Sequence, residues 1–89
     1  MEKQWVVYIL SCKDGTLYTG ITDDLPRRMQ LHESGKGAKY TRGRGPLVLV
    51  YRENAESYSA ALKREYQIKQ FRKNDKLKLI EAYGKTAAR

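Results

Sequence analysis

Trp5-Val6-Val7-Tyr8-Ile9-Leu10-Ser11-Cys12-Lys13-Asp14-Gly15-Thr16-Leu17-Tyr18-Thr19-Gly20-Ile21-Thr22 is the stretch on which the fold turns. Its first run, Trp5 to Ser11, is aromatic and β-branched. Its second, Thr16 to Thr22, alternates apolar with small polar residues, and Lys13-Asp14-Gly15 between them is turn chemistry. Loop length sets the register, and a one-residue slip exchanges the two faces of a strand. A two-residue Asp14-Gly15 turn separates Tyr8 from Tyr18. A three-residue loop with Gly15 in the left-handed position sets both tyrosines on one face. It also gathers Trp5, Val7, Ile9, Leu17 and Ile21 on the other face as a core side, so the three-residue loop is the expected one. Gly20 then stands beside the tyrosines and leaves room for a close approach. Tyrosines are common in strands, so the pair does not by itself mark a site.

The chain has 89 residues, enough for one domain with a modest core. Eighteen Lys and Arg against ten Asp and Glu give a net charge of +8. That excess favours a polyanionic partner, nucleic acid ahead of a membrane surface. Cys12 is the single cysteine, which excludes a disulfide framework and zinc-ligand spacing. No apolar run approaches the roughly 20 residues of a membrane span, and the amino terminus lacks a signal-peptide layout. A cytoplasmic location is the default expectation.

Beyond the hairpin, Asp23 or Asp24 can cap a helix with Pro26 in its first turn, running to about Ser34 with Gly35 as its stop. Leu25, Met29 and His32 share one face, with Arg28 beside them one turn before His32. Singly, Arg28 reads as a snorkelling cation and His32 as a boundary residue. Residues 34–46 form a glycine-rich basic loop. From Arg27 to Pro46 there are six cations (Arg27, Arg28, Lys36, Lys39, Arg42, Arg44) against one acid, Glu33. Tyr40 lies among them, as suits phosphate contacts with a stacked base, or else a solvated loop. The G-x-x-x-x-G-K-[ST] phosphate loop is absent.

Leu47 to Tyr51 read as a buried third strand, Arg52 to Glu56 as its exit loop, and Ser57 or Asn54 as the cap of a helix ending near Arg72 or Lys73. Tyr58, Ala61, Leu62, Ile68 and Phe71 form its apolar stripe, and Glu65 falls near the middle. A carboxylate there needs a cation or donors. It is either a structural partner of a base such as Arg28 or a metal ligand lining a cleft. Asn74 or Asp75 then opens a last helix that stops at Gly84, leaving residues 85–89 as a frayed tail.

Taken together, these features resemble the GIY-YIG nuclease family over about residues 5–82. Val7-Tyr8-Ile9 looks like the first motif element and Tyr18-Thr19-Gly20 like the second. The helix entry Asp24-Leu25-Pro26-Arg27-Arg28 and the later Ala61…Glu65…Ile68-Lys69 follow in family order. The Gly35 to Lys39 stretch resembles the small stand-alone bacterial branch. Val7 stands in place of the motif's first glycine, Thr19 in place of its isoleucine, and Ile21 where excision-repair relatives often carry lysine. The family's downstream asparagine has only Asn74 as a loose match.

The resemblance implies an α+β domain, with a three-stranded antiparallel sheet flanked by helices in the order β-β-α-β-α-α. It implies divalent-metal-dependent hydrolysis of phosphodiester bonds, with Mg2+ or Mn2+ on Glu65. The substrate would be DNA, branched or damaged forms in repair or recombination included, with RNA also open. The catalytic set would be Tyr8, Tyr18, Arg28, His32 and Glu65, lining one hollow. Arg28 would hold a phosphate oxygen. Tyr8 is the favoured general base, with Tyr18 or His32 orienting water. Arg27, Lys36, Lys39, Tyr40, Arg42 and Arg44 would bind nucleic acid. A non-catalytic nucleic-acid-binding module and a subunit activated by a protein partner are the alternatives.

Overall fold

A computed structural model describes residues 4–37, 41–43 and 45–87. Its elements follow the order β1 (Trp5–Ser11), β2 (Leu17–Thr22), α1 (Leu25–Glu33), β3 (Val48–Ala55), α2 (Tyr58–Lys69) and α3 (Lys73–Ala87). The sheet is antiparallel with β1 in the centre, in the order β2-β1-β3.

The hairpin has the three-residue loop. Cys12 and Thr16 face each other across it, Cys12 N–H donating to the Thr16 carbonyl at 2.9 Å. Gly15 takes the left-handed conformation, with φ of 84°. Asp14 accepts from both the Thr16 amide and the Thr16 hydroxyl, which fixes the turn. Tyr8 consequently pairs with Gly20 and Leu10 with Tyr18, so the two tyrosines share a face.

Each face of the sheet has its own core. Val6, Tyr8, Leu10, Cys12, Leu25 and Leu47 pack on one side, with Tyr18, Met29 and Leu49 against them. Val7, Ile9, Ala61 and Ile68 pack on the other, covered by side chains of α2 and α3. β1 is therefore buried on both faces and needs a near-continuous apolar run, as its sequence supplies.

Helix α1 begins as expected. Asp24 caps it by accepting from the Arg27 amide, Pro26 sits in the first turn, and Gly35 follows its end. Strand β3 departs from expectation in two ways. It is an edge strand, with Val48 55% exposed, rather than a buried one. It also continues through Arg52–Ala55, which pair with Tyr8 back to Trp5 instead of forming an exit loop. The register shifts between Ile9 and Leu10, leaving Val50 as the extra residue of a bulge.

Ser57 caps α2 through a bond from the Ala60 amide, but the helix stops at Lys69, short of the expected Arg72 or Lys73. Its buried stripe narrows to Ala61 and Ile68; Tyr58 and Leu62 are exposed. Tyr58 instead lays its ring against Trp5, centroids 4.8 Å apart. Helix α3 starts at Lys73 and runs through Gly84 to Ala87. The glycine costs about 1 kcal/mol of propensity there without ending the helix, and a Lys85–Glu81 pair at 3.1 Å spans it.

Candidate functional site

The site is built on the tyrosine face of the hairpin and the inner face of α1. Tyr8 is wholly buried and its hydroxyl lies 2.8 Å from His32 Nε2. His32 is also buried, and its other ring nitrogen, Nδ1, lies 3.0 Å from the Thr41 hydroxyl oxygen, buried as well. Tyr18 is half-buried beside them, its ring 6.3 Å from that of Tyr8 and 5.3 Å from His32. Arg28, half-buried one turn before His32, interacts with the hydroxyls of both tyrosines.

These contacts fix the proton arrangement. Arg28 carries donors and a positive charge only, so its influence on Tyr8 falls on the phenolic oxygen and leaves the Tyr8 O–H to donate to His32. His32 Nε2 is the acceptor for that proton, and the tautomer with a proton on Nδ1 then donates to Thr41. Burial, with the Arg28 charge adding to it, lowers the His32 pKa and keeps the ring neutral. Burial pushes Tyr8 up to about 12; Arg28 opposes the shift, while Tyr18 and Glu65 add to it.

Two glycines make the room. A Cβ on Gly20 would stand 2.7 Å from the Tyr8 hydroxyl and 3.0 Å from the Tyr18 ring. A Cβ on Gly37 would stand 2.5 Å from His32 Nδ1 and 2.8 Å from the His32 Cα. Gly37 and Thr41 are the parts of this arrangement that sequence reasoning missed. Their signal was the glycine-rich loop itself, read there as a phosphate-contacting segment or a solvated loop and not as a partner of His32.

Glu65 enters from the other side of the sheet, on α2. Its charge reaches Tyr8, contributing to the raised pKa there, and its side chain is 20% exposed. Its ion-pair partner is Lys69, at 3.5 Å, rather than Arg28. Four of the five expected catalytic side chains therefore converge in contact, and the glutamate joins them electrostatically. A shared hollow lined by all five is not what the geometry shows; Tyr8 and His32 are sealed, and Tyr18 carries the open side. A cavity of about 310 Å³ opens at Tyr18, next to Lys69.

Among the described residues no group of three or more His, Cys, Asp or Glu is placed to cage a metal. Glu65 is a single, partly exposed, hard oxygen donor. That donor set fits Mg2+ or Mn2+, which take one or two carboxylates together with waters and substrate phosphate oxygens.

Of the expected nucleic-acid contacts, Arg27 is exposed on the first turn of α1, and Lys36 and Arg42 are exposed in the loop after that helix. Arg42 folds back, its Nε donating to the Gly35 carbonyl at 3.3 Å. Lys39, Tyr40 and Arg44 lie outside the described residues. A second polar cluster was unanticipated. Arg64 Nε reaches both carboxylate oxygens of Glu53, at 3.0 and 3.1 Å, and Tyr51 donates to the same carboxylate. It joins β3 to α2.

The chain as a whole matches a known domain family. The profile of the GIY-YIG catalytic domain matches residues 4–78, and the chain belongs to that family. More narrowly, it is similar to a UPF0213 protein of Oceanobacillus iheyensis, 54% identical over 91% of this chain and 94% of that one. A UPF0213 protein of Staphylococcus haemolyticus is 55% identical over 91% and 98% of the two chains. Among solved structures, the solution structure of a UPF0213 protein from Bacillus halodurans shares 48% identity with a TM-score of 0.60, over 91% of this chain and 86% of that one. A solution structure of an E. faecalis protein gives 34% identity and a TM-score of 0.65, over 93% and 88%. No helix of the described residues is long and apolar enough to cross a membrane.

Proposed function

We propose that this protein is a divalent-metal-dependent endonuclease that hydrolyses phosphodiester bonds in DNA, branched or damaged DNA included. The observation that carries this is the convergence of Arg28 on two tyrosine hydroxyls, backed by a buried histidine, with the Glu65 charge in range. A purely structural core has little use for so many polar groups beside a sheet face.

The roles follow from burial. Glu65 would hold the metal ion, Mg2+ or Mn2+, which when bound supplies Lewis acidity toward the phosphate. Arg28 is positioned to bind a non-bridging phosphate oxygen through its fork and to stabilise the charge that develops on it. Tyr8 is sealed and carries a raised pKa, which makes it a poor proton acceptor at neutral pH. The base assignment therefore moves from Tyr8 to Tyr18, the half-buried tyrosine that a substrate water can reach. Tyr8, His32 and Thr41 act behind it as a buried hydrogen-bonded brace that fixes Arg28. Arg27, Lys36 and Arg42, with Lys39, Tyr40 and Arg44, supply sequence-independent contacts to the DNA backbone.

The deciding experiment is nicking of supercoiled plasmid by purified protein with and without Mg2+. Metal-dependent conversion to open circles is expected, abolished by Glu65→Gln with the far-UV circular dichroism unchanged. Equal cutting by both proteins would assign the activity to a contaminant and overturn the proposal.

A further inference from the structure

The cavity at Tyr18 extends away from the basic loop, toward α3. Its lining includes Tyr18, Thr19, Lys69 and Lys76, and a neighbouring cavity of about 240 Å³ shares Lys76 and adds Lys73. Three lysines from the end of α2 and the first turn of α3 thus face one trough beside the edge strand β2. Lys76 is half-buried, although the other cations of α3 that are described on its first two turns are exposed. No ion pair among the described residues involves Lys73 or Lys76. Lys69 touches Glu65, so the trough begins at the candidate site itself.

A second, independent feature lies under the same trough. Thr19 is 3% exposed, and its hydroxyl is the one buried side-chain oxygen among the described residues without a hydrogen-bond partner. Buried hydroxyls are almost always satisfied, and an orphan calls for an absent partner. Cations converging on an unsatisfied donor describe a site for an oxyanion. The amino-terminal end of α3, a 15-residue helix, adds its own positive field there.

We infer that Lys73, Lys76 and Thr19 form a phosphate-binding trough that carries the nucleic-acid backbone away from Tyr18 and Glu65, on the side opposite the glycine-rich loop. The inference deepens the endonuclease reading and rests on it for the identity of the ligand. The strand would enter along the loop at the end of α1, pass Arg28 and Tyr18, and leave over the α2–α3 junction. A backbone phosphate held by Lys76 in the cavity that it shares with Thr19, or the water it brings, gives the Thr19 hydroxyl its acceptor, and Lys73 in the adjoining cavity takes the next phosphate along. Contacts of this kind position the strand and do not read its sequence.

Binding of a fluorescein-labelled DNA duplex with a single-stranded arm, followed by anisotropy in EDTA, tests this without any hydrolysis. Lys73→Ala/Lys76→Ala should bind roughly tenfold more weakly and lower the slope of log K against log salt by about 2. Lys78→Ala/Lys85→Ala removes the same charge from α3 outside the trough and should bind much closer to the parent. Thr19→Val should weaken binding while the melting temperature stays level or rises, a split that a packing role would not produce. Parental affinity in Lys73→Ala/Lys76→Ala, or equal loss in both double variants, overturns the trough. If that protein still nicks plasmid as the parent does, the nuclease stands and the trough falls. If Glu65→Gln and parent alike fail to nick but binding still depends on Lys73 and Lys76, the trough stands and the nuclease falls.

Discussion

The hydroxyl of Tyr8 and Nε2 of His32 lie 2.8 Å apart with both residues shut off from solvent. That bond joins the central strand to the first helix through polar groups, in a place where an apolar contact would serve packing equally well. It persists because Arg28 and Thr41 complete the chain at its two ends. A fully satisfied network of this kind rigidifies its members. Here the member held in place is an arginine that points at the half-buried Tyr18.

Removing the two tyrosine hydroxyls should have different consequences. Tyr8→Phe leaves a buried imidazole nitrogen without its partner, at a cost of about 1–3 kcal/mol. For a chain of this size that is a fall in Tm of several degrees. Tyr18→Phe removes a partly exposed hydroxyl, so the melt should change little while plasmid nicking drops by about 10²–10⁴-fold. Thermal melts and nicking rates on the two variants check both halves. A Tyr8→Phe protein that melts with the parent would sink the bracing role.

Acid should weaken the fold through one residue. His32 is the single histidine in the chain, and burial with the Arg28 charge lowers its pKa in the folded state. The unfolded chain, with an ordinary value near 6.5, binds the proton more readily. Stability is therefore complete above about pH 6.5 and falls as pH drops below it, by at most about 1.4 kcal/mol per pH unit. His32→Gln should flatten that slope in urea titrations run from about pH 8 to pH 5, whatever it does to the absolute midpoint. Tyr8 runs the other way. Its pKa rises to about 12 in the fold, so its contribution is present below about pH 10 and lost as pH climbs through the folded value.

Glu65 separates chemistry from folding. Its carboxylate is partly exposed and its pairing with Lys69, 52% exposed, is a surface contact worth at most about 1 kcal/mol. Glu65→Gln should thus melt within a few degrees of the parent and yet lose metal-dependent nicking altogether. Isothermal titration of Mg2+ into protein mixed with a short uncleavable DNA should show the matching loss of metal binding. Undiminished metal binding in the variant would move the ligand elsewhere.

The hairpin was legible because its turn chemistry allows two registers and only one gives a coherent apolar face. The start of α1 was legible for a similar reason, since Asp24, Pro26 and Gly35 each satisfy a different backbone demand. Strand β3 was not. An apolar run such as Leu47 to Tyr51 looks the same whether the strand is central or at an edge, and Arg52 to Ala55 look like a loop because an edge strand can afford polar side chains. Gly84 misled because a helix tolerates one glycine when its neighbours carry it. At the site, the tyrosines, Arg28 and His32 could be placed by strand and helix periodicity. Thr41 and Gly37 could not, because a contact across an irregular loop has no period. Glu65 stood out on the helical wheel, but its partner did not, because Lys69 lies on the same helix and the wheel pointed toward the sheet.

The Glu53–Arg64 contact is a structural device that ties β3 to α2 and is joined to Tyr51. Both side chains are about 30% exposed, 31% for Arg64 and 28% for Glu53, so a double-mutant cycle with alanine should give a coupling of about 0.5–1 kcal/mol. Nicking by each variant, at a temperature well below its melt, should match the parent. A large loss of cutting would tie this cluster to the site.

The two glycines offer the sharpest contrast. Gly20→Ala drives a methyl to 2.7 Å from the Tyr8 hydroxyl and 2.8 Å from its Cζ. Tyr8 is fully buried and cannot swing away, so overpacking should cost about 1–3 kcal/mol. Adding Tyr8→Phe should recover only part of it, because the hydroxyl goes but the ring carbon stays. Gly37→Ala meets the His32 Cα at 2.8 Å as well as Nδ1 at 2.5 Å. Shortening the side chain, as in His32→Ala, clears the ring nitrogen and leaves the backbone obstruction, so that double variant should show little rescue. The loop after α1 has to move instead, taking Thr41 off His32. Stability should be lost at both positions, with nicking lost more steeply at Gly37 than its melt implies. Melts and nicking rates for the four proteins decide it, and full rescue of Gly37→Ala by His32→Ala would show that the loop is not pinned against the helix backbone.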